Sequence, residues 1–441
     1  MAISTVVSRH SFWGSAGGTL IVFFAGASLI GTFLLWLPWS RTHNADLIDL
    51  LFTAASAITV TGLVTLDTGS DFTPLGQLVI ALLIQAGGIG YMLTGTLLLL
   101  GRSRFVSLRQ QSTMGVSSQI SEGVSLFALI RFVILFSLIT VMFTSLLLTL
   151  FWIPEFGWVK GIGYSLFHAI SAFNNAGFAL FPSSLVGVAG GNWVIWIHAM
   201  AFIIGGLGFI VVYEVCTPQK RLSIHSRLMI YGSLILLTLG SAALLVFEQN
   251  TASLGSGIDR LTAAFFQAAT TRTAGFNSID LNEMSHASHV FMMINMVIGA
   301  GPGSTAGGIR LTTFILLLTG LFAVLQGRES TRLMGRTLDV EHLLRASGIL
   351  ILTLTLLTAI CLLLLVLEPE QEPLMVIFEA VSALGTVGLS LGLTGEMHPY
   401  SKLLIIVVML IGKISPVMLF TALANRPEKP VRYAGGRVAL G

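Results

Sequence analysis

The segment FTAASAITVTGL, from Phe52 to Leu63, occurs in four related forms along the chain. In each form a Phe stands ten residues before a Gly, and small or polar residues lie between them. The other three forms are FHAISAFNNAGF at Phe167–Phe178, FFQAATTRTAGF at Phe265–Phe276 and FEAVSALGTVGL at Phe378–Leu389, and the glycines are Gly62, Gly177, Gly275 and Gly388. A pattern repeated in register indicates four copies of one structural unit. We interpret each copy as a short helix and a turn, and four such turns around one axis would form a ring of backbone carbonyls.

The composition indicates a membrane protein with several spans. Of the 441 residues, 54% are hydrophobic and 10% are charged, whereas soluble domains have roughly 25% charged residues. A helix needs about 20 apolar residues to cross a bilayer. Eight stretches of this kind lie near residues 13–37, 74–100, 126–152, 193–216, 228–247, 289–324, 347–367 and 402–424. The sequence therefore predicts eight transmembrane spans, and the first is expected to be retained because no convincing cleavage site follows it.

Charge is distributed unevenly between the predicted loops. If both termini are cytoplasmic, fifteen of the 23 basic residues lie on the inner side and five lie on the outer side, as the positive-inside rule requires. Fourteen of the 20 acidic residues lie on the outer side, where they would raise the local concentration of cations. We expect a multi-pass protein of the cell inner membrane with both termini in the cytoplasm.

The four patterns divide the chain into repeats of span, short helix, turn and span. These are repeat A (12–100), repeat B (124–216), repeat C (226–325) and repeat D (345–424), followed by a cytosolic tail (425–441). The short helices are expected to begin near Asp46, Val159, Gly257 and Glu372, and they are too short to cross a bilayer. Exposed backbone at that depth is tolerated only beside protein or water. The expected fold class is an all-α membrane protein with four repeats of helix, re-entrant pore helix, filter turn and helix around a central pore.

A glycine-rich stretch, GAGPGSTAGGIR at Gly299–Arg310, interrupts the sixth predicted span. A membrane helix would not stay straight through it, so we predict an intramembrane loop at 299–308. The loop includes Gly299, Gly301, Gly303, Ser304, Thr305, Gly307 and Gly308. A dinucleotide fingerprint is the competing interpretation, but neither a strand nor a suitably placed acidic residue accompanies it. No organic cofactor is expected on this chain, and any nucleotide control is expected from a partner.

Lys413 lies midway along the last predicted span, in LIGKISP. A charge at that depth costs about 2.5–3.5 kcal/mol, so its side chain should face water, a carboxylate or loop carbonyls. If its side chain lies in the pore cavity, Lys413 would act as an electrostatic barrier and loop anchor, and the alternative is snorkelling toward the cytoplasm. His168 and His198 lack a further ligand at helical spacing, so we expect hydrogen bonds in the core and not a metal site.

The segments ITVTGL, SAFNNAGFALFPSS, RTAGFNS and GTVGLS resemble the four filter signatures of the KtrB, TrkH and HKT superfamily of potassium transporters. LRQQ at Leu108–Gln111 and the glycine-rich stretch match as well, and the length is similar to the KtrB branch. The resemblance implies a homodimeric K⁺-conducting subunit on a cytosolic octameric ring of RCK (KtrA-type) subunits that bind ATP or ADP. It also implies Na⁺-stimulated uptake, contact with membrane lipids and no nucleic acid.

The resemblance implies, in addition, which residues act on the ion. The filter carbonyls would belong to Thr59, Val60, Thr61, Gly62, Asn174, Asn175, Ala176, Gly177, Arg272, Thr273, Ala274, Gly275, Gly385, Thr386, Val387 and Gly388. In plant relatives a Ser at the first filter glycine goes with Na⁺ permeation, so Gly62 implies K⁺ selectivity. The intramembrane loop would be the gate and would obstruct the pore until the cytosolic ring moves it. The gate residues would be Gly299, Gly301, Gly303, Ser304, Thr305, Gly307, Gly308 and Lys413. The chain departs from the family at Lys413, which is usually Arg, and at Ser415, which is usually Gly.

Two other classes of function remain as alternatives. An ion-coupled secondary transporter with inverted repeats would show twofold similarity and buried carboxylates, and a membrane-embedded hydrolase would need a nucleophile and a base. No catalytic site is expected, and within cation transport the alternative is a Na⁺-permeable or Na⁺-coupled transporter. We expect Gly62→Ser to admit Na⁺ with little loss of folding, and shortening of Gly303–Gly308 to raise K⁺ flux without the partner.

Overall fold

The computed structural model describes residues 16–101, 126–217, 222–250, 254–305, 307–328 and 330–414. The predicted cytosolic tail (425–441), the end of repeat D, Ser415 and the LRQQ segment (Leu108–Gln111) lie outside these residues. Helices make up most of the described chain, and its one sheet there is a hairpin of β1 (Arg332–Leu333) and β2 (Arg336–Thr337). The all-helical class of the protein is therefore confirmed.

The described α-helices range in length from 4 to 31 residues. In chain order they are α1 (Ala16–Trp36), α2 (Leu47–Thr59), α3 (Pro74–Gly101), α4 (Leu126–Phe156), α5 (Trp158–Phe173), α6 (Gly191–Leu207), α7 (Phe209–Cys216), α8 (Ile224–Phe247), α9 (Gly257–Thr270), α10 (His286–Val297), α11 (Leu311–Leu325), α12 (Val340–Leu367), α13 (Pro373–Gly385), α14 (Leu393–Glu396) and α15 (Pro399–Ile414). A single turn of 3₁₀ helix, Leu281–Glu283, precedes α10.

The four short helices α2, α5, α9 and α13 start within one residue of the predicted positions. They have 13, 16, 14 and 13 residues. Local sequence explains several of these starts. Pro373 occupies the first turn of α13, where its missing N–H costs nothing, and Asp49 and Asp259 lie in the first turns of α2 and α9, where the helix dipole favours negative charge.

Four of the described helices are long and apolar enough to cross a membrane, and the bent pair α6 and α7 gives a fifth if it counts as one span. The outward faces of these helices expose large apolar side chains, such as Leu29 at 63%, Leu146 at 62% and Val366 at 75%. Extensive apolar surface of this kind suits lipid and not water. The protein is therefore a multi-pass membrane protein, while the number of eight spans stays a prediction.

The fourth predicted span, 193–216, is wrong as a continuous helix. The chain breaks between α6 and α7, and their axes differ in direction by 99°. Gly208 lies at the break with φ +96, and a Cβ built there would come within 2.7 Å of the Pro302 carbonyl oxygen. Gly205, Gly206 and Gly208 were a signal for this bend. Glycine is also common in straight membrane helices because it allows close packing, so the signal was ambiguous.

The long helices enclose the short ones in a ring. Helix α3 packs on α5, α6 on α9, α10 on α13 and α15 on α2. The helix that follows each short helix thus covers the short helix of the next predicted repeat, and the fourth repeat closes on the first. An ion pair joins this last contact, because Lys402 Nζ at the start of α15 lies 2.7 Å from Asp49 Oδ1 in α2.

We expect Lys402→Met and Asp49→Asn each to lower the thermal midpoint of the purified protein, and the double variant to lose less than the sum. The two side chains are only 11% and 14% exposed, so removing one leaves a poorly solvated charge, at a cost of about 1–3 kcal/mol. Thermal unfolding in detergent micelles measures this. Arg345→Met is the control, because the Arg345–Glu341 pair is solvent-exposed and such pairs contribute little. Additive losses in the double variant would contradict the coupling.

Candidate ion pathway

Each short helix ends in a turn at the glycine of its motif. Gly62, Gly177, Gly275 and Gly388 have φ of +97, +69, +79 and +91. The residue two positions earlier is left-handed as well, with φ of +57 at Val60, +59 at Asn175, +75 at Thr273 and +50 at Thr386. Each turn therefore has left-handed backbone at two positions separated by one residue.

The left-handed residues before the glycines were not foreseen from the sequence. Val60 and Thr386 are β-branched, and such residues are rare outliers at positive φ. Backbone strain of this kind costs about 1–3 kcal/mol for each residue and persists only where the surrounding structure imposes it. Here the side chain of Val60 is buried in an apolar cluster with Ile58 and Ile84. The backbone conformation of these turns is therefore maintained by packing, against the intrinsic preference of the residues.

Three of the four turns share one hydrogen-bond pattern. The bonds are Val60 N to Ala57 O (3.1 Å) and Thr61 N to Ser56 O (2.9 Å), Asn175 N to Ala172 O (3.0 Å) and Ala176 N to Ser171 O (2.8 Å), and Thr386 N to Ala383 O (3.1 Å) and Val387 N to Ser382 O (2.9 Å). This is a Schellman-type helix end, with a residue other than Gly in the left-handed position. In the third turn Ala274 N instead donates to Thr270 O at 2.9 Å. Equal spacing in the sequence therefore did not produce four equal turns.

The four glycines pack against one another in a closed ring. A Cβ built on Gly62 would lie 2.4 Å from the Ala176 carbonyl oxygen, and one built on Gly388 would lie 2.1 Å from that of Thr61. The corresponding distances are 3.1 Å from Gly177 to Ala274 O and 2.4 Å from Gly275 to Val387 O. Each glycine thus faces the carbonyl that precedes the next glycine, in the order A, B, C, D and back to A. Any side chain here would collide with a backbone atom of the neighbouring repeat.

A cavity of about 500 Å³ opens beside the ring, and all four glycines line it. The rest of its wall consists mainly of residues that follow the glycines, including Asp67 and Asp280. None of the lining residues that the structure describes is basic. Both carboxylates belong to the acidic set that the sequence assigned to the outer side. A cavity with this charge concentrates cations at the ring.

The residues that precede the glycines contact the loop between α10 and α11. A Cβ built on Gly307 would lie 2.2 Å from Thr386 Oγ1, and the Thr305 hydroxyl donates to Asn175 Oδ1 at 3.2 Å. The two ends of the loop are paired with each other, because Gly299 N donates to Ile309 O at 2.8 Å. The predicted loop and the predicted turns therefore lie together, with the loop on the side of the ring away from the cavity.

Lys413 reaches this loop from the last described turn of α15. Its side chain is fully buried, and Nζ donates a hydrogen bond to the carbonyl of Thr305. A loop carbonyl is one of the three surroundings expected for this ammonium, and snorkelling toward a membrane surface is excluded by its burial. Arg310 Nη1 also donates to a loop carbonyl, that of Gly301, at 3.4 Å.

The break between α6 and α7 is a second contact of the loop. Gly301 N donates to Gly206 O at 3.0 Å, and Phe209 N donates to Gly303 O at 3.4 Å. The backbone groups freed by the bend are therefore satisfied by the loop, and the loop is held in return. Sequence reasoning missed this pairing because the two segments are about 90 residues apart.

The side chain of Arg272 turns away from the ring. Its guanidinium is buried, Nη2 donates to Ser233 Oγ at 3.2 Å, and it borders a small cavity of about 20 Å³ beside Asn175 and Ala300. The role assigned to Arg272 from the sequence concerned its main-chain carbonyl. The third turn can therefore carry a long side chain, because that side chain extends toward Ser233 in α8.

An apolar helical exterior that encloses four short helices and one ring of backbone turns is typical of membrane proteins that move small ions. Comparison with known proteins gives the family. The chain matches the TrkH family, described as a cation transport protein, over residues 16–429, and it belongs to that family. The resemblance inferred from the motifs is thus confirmed.

Several curated relatives cover almost the whole chain. A protein named Ktr system potassium uptake protein B from Bacillus subtilis is 39% identical and covers 94% of this chain, with 94% of its own length matched. A protein of the same name from Vibrio alginolyticus is 36% identical over 98% of this chain and 96% of its own length. The potassium/sodium uptake protein NtpJ of Enterococcus hirae is 35% identical, with 97% and 96% covered.

A solved structure supports the fold. The potassium transporter TrkH from Vibrio parahaemolyticus superposes with a TM-score of 0.72 at 18% identity, covering 95% of this chain and 86% of that protein. At this identity the similarity concerns the arrangement of the helices. The protein therefore has a helical membrane transporter fold.

Proposed function

We propose that this chain is the ion-translocating subunit of a K⁺ uptake system of the Ktr type. The observation that carries the proposal is the closed ring in which each of four glycines faces the carbonyl before the next one. Two relatives that match almost the full chain are named Ktr system potassium uptake protein B, which supports K⁺ as the transported ion.

In this proposal a K⁺ ion enters the cavity beside Asp67 and Asp280 and loses its water at the ring. Carbonyl oxygens of the four turns, from Thr59–Gly62, Asn174–Gly177, Arg272–Gly275 and Gly385–Gly388, replace the hydration shell. The short helices end at these turns, so their partial negative charge adds to the attraction for a cation and repels anions. The carbonyls need the strained turns, because an ordinary helix end would point them along its own axis.

The gate in this proposal is the loop 299–308 with Lys413. The loop contacts the inner ends of the turns at Asn175 and Thr386, where it would block an ion leaving the ring. The Lys413 ammonium adds a like charge beside the path and anchors the loop through Thr305. Release would need a force from outside the chain, which we assign to a cytosolic octameric ring of RCK (KtrA-type) subunits that bind ATP or ADP.

The same proposal includes the assembly and its location. We infer a homodimer in the cell inner membrane, with four repeats in each subunit, both termini cytoplasmic and Na⁺-stimulated uptake. The excess of basic residues in the predicted inner segments and of acidic residues in the outer ones supports this orientation,. The acidic cavity wall agrees with it, since that wall then faces the outside.

A second candidate is a transporter that carries Na⁺ as well as K⁺. It is favoured by one relative, the Enterococcus hirae protein, which is named a potassium/sodium uptake protein. Glycine at position 62 favours K⁺ selectivity, since the four glycines leave the ring free of side chains.

Ion flux in liposomes distinguishes the two candidates. The purified protein is reconstituted with and without the RCK ring, and uptake of K⁺ is measured in competition with Na⁺. The K⁺ proposal predicts K⁺ uptake that Na⁺ does not displace and that the ring accelerates with one of the two nucleotides, ATP or ADP. Equal uptake of both ions would favour the second candidate, and no cation uptake with the ring and either nucleotide would refute both.

A further inference from the structure

The residue directly after the first Phe of each motif differs in chemistry between the four repeats. It is Thr53 in α2, His168 in α5, Phe266 in α9 and Glu379 in α13. All four side chains are fully buried behind the turns. The positions are equivalent in register, nine residues before each ring glycine. Because the four positions are equivalent, different partners for these side chains make the four quarters of the ring different from one another.

His168 binds the segment that follows Gly177 in the second turn. Leu180 N, three residues after Gly177, donates to His168 Nε2 at 3.1 Å. This fixes the proton on Nδ1, which lies 3.3 Å from His198 Nε2, and His198 Nδ1 then donates to the Val194 carbonyl at 2.8 Å. The chain of bonds assigns both tautomers and satisfies every ring nitrogen with both rings neutral. These bonds connect the segment that follows Gly177 to His168 in α5 and then to His198 in α6.

Glu379 makes the equivalent connection in repeat D. The Thr394 hydroxyl donates to Glu379 Oε1, and it lies 3.1 Å from Ser390 Oγ, which in turn accepts from Gly392 N at 3.0 Å. Ser390 and Thr394 line the outer cavity and follow Gly388 by two and six residues. A buried carboxyl destabilises the protein unless it is hydrogen-bonded. The bond from Thr394 offsets this cost and connects α13 to the segment that follows Gly388.

The other two repeats lack this link. The Thr53 hydroxyl donates to Asp49 O at 2.9 Å, within its own helix. Phe266 packs edge to face on Phe202, with 5.5 Å between ring centroids. In the closed order A, B, C, D, the second and fourth repeats are diagonally opposite. Bonds from this register position to the segment after the glycine therefore occur in two opposite quadrants. In repeat C the corresponding segment is bonded from another position, because the Thr270 hydroxyl donates to the Phe276 carbonyl at 2.8 Å.

We propose that His168 and Glu379 are positioning residues that fix the outer halves of two opposite filter turns and thereby set the preference for K⁺ over Na⁺. This inference rests on the proposed function, since it concerns the selectivity of that ring. A smaller ion needs carbonyls that move inward. The bonds of His168 and Glu379 tie the segments after Gly177 and Gly388 to their pore helices and resist that movement.

The test compares selectivity between two disruptive variants and two matched ones. His168→Phe introduces the residue that repeat C carries at this position, and Glu379→Leu removes the acceptor. Glu379→Gln keeps an acceptor at Oε1, and because Oε2 has no hydrogen-bond partner among the described residues, its amide replaces no existing bond there. Thr53→Val removes a hydroxyl that bonds only within its helix. Each protein is reconstituted with the RCK ring, and the ratio of K⁺ to Na⁺ uptake is measured together with the thermal midpoint.

We expect His168→Phe and Glu379→Leu to lower the K⁺/Na⁺ ratio by about threefold to tenfold, the factor that one lost hydrogen bond supports. Glu379→Gln and Thr53→Val should stay within about twofold of the original protein. A purely structural role would lower the thermal midpoint and the amount of folded protein but leave the ratio unchanged. Folded disruptive variants with the original ratio would overturn the proposal.

Two precautions keep the outcomes distinct. If His168→Phe or Glu379→Leu does not fold, Thr394→Val removes the donor from the cavity side, and an unchanged ratio in that variant overturns the Glu379 link. If the original protein itself shows no K⁺ uptake, the proposed function fails. Selective uptake by the original protein, with no change in any folded variant, refutes only the role of His168 and Glu379.

Discussion

Replacing Gly62 with Ser is expected to abolish the preference for K⁺ over Na⁺ and to lower the stability of the protein. The new Cβ would meet the Ala176 carbonyl oxygen at 2.4 Å, so one of the oxygens assigned to the filter must move. The backbone at φ +97 adds about 1–2 kcal/mol of strain for any residue with a Cβ. Competitive uptake of K⁺ and Na⁺ in liposomes measures the first effect, and the thermal midpoint measures the second.

The expectation from the sequence, that this variant would fold with little loss, is therefore revised. Gly157→Ala is the matched control, because Gly157 also has a positive φ, of +79, but a Cβ there meets nothing within 4 Å. It should show a loss of stability from strain with no change in selectivity. If Gly62→Ser retained full K⁺ preference, Gly62 would not line the filter.

Shortening the loop across Gly303–Gly308 is expected to raise K⁺ flux in the absence of the cytosolic ring. The loop contacts the inner ends of two turns, and removing this segment takes away Thr305, whose carbonyl Lys413 binds. A hydrogen bond from a charged group contributes about 1.5–3 kcal/mol. Its loss would shift the balance between closed and open loop by about tenfold to a hundredfold. Passive K⁺ uptake by liposomes without the ring measures the change.

Point variants of Lys413 separate the anchor from the bulk of the loop. Lys413→Met should also raise flux without the ring, whereas Lys413→Arg keeps a positive donor and should stay closed. Flux that is unchanged both in the shortened protein and in Lys413→Met would remove the loop from the account of gating. Raised flux in the shortened protein alone would leave the loop as the gate without Lys413 as its anchor.

Much of the architecture was readable from local patterns. The predicted starts of the four short helices lie within one residue of the observed starts, because acidic residues, Pro, Ser and Gly mark the beginning of a helix in a sequence. The glycine-rich run at Gly299–Gly308 predicted a loop because a membrane helix would not stay straight through it. Lys413 was expected to meet a polar group at depth, and the burial of its side chain agrees with that argument.

Other features depended on contacts between distant segments. The bend at Gly208 exists because the backbone groups it frees are satisfied by Gly301 and Gly303, which no local pattern reveals. The left-handed Val60 and Thr386 contradict the intrinsic preference of β-branched residues. The third turn departs from the other three although its spacing is the same, and Arg272 in this turn directs its side chain to Ser233 in α8.

Periodicity, composition and the position of glycines were enough to predict a multi-pass helical membrane protein with four related short helices that end near a glycine, because these properties arise from the solvent and from the backbone within each segment. Only the three-dimensional packing showed that the four glycines meet in a closed ring, that the loop contacts the break between α6 and α7, and that His168 and Glu379 bond residues that follow two opposite glycines. Those arrangements depend on which surfaces touch, and contact between residues a hundred or more positions apart leaves no periodic trace in the chain.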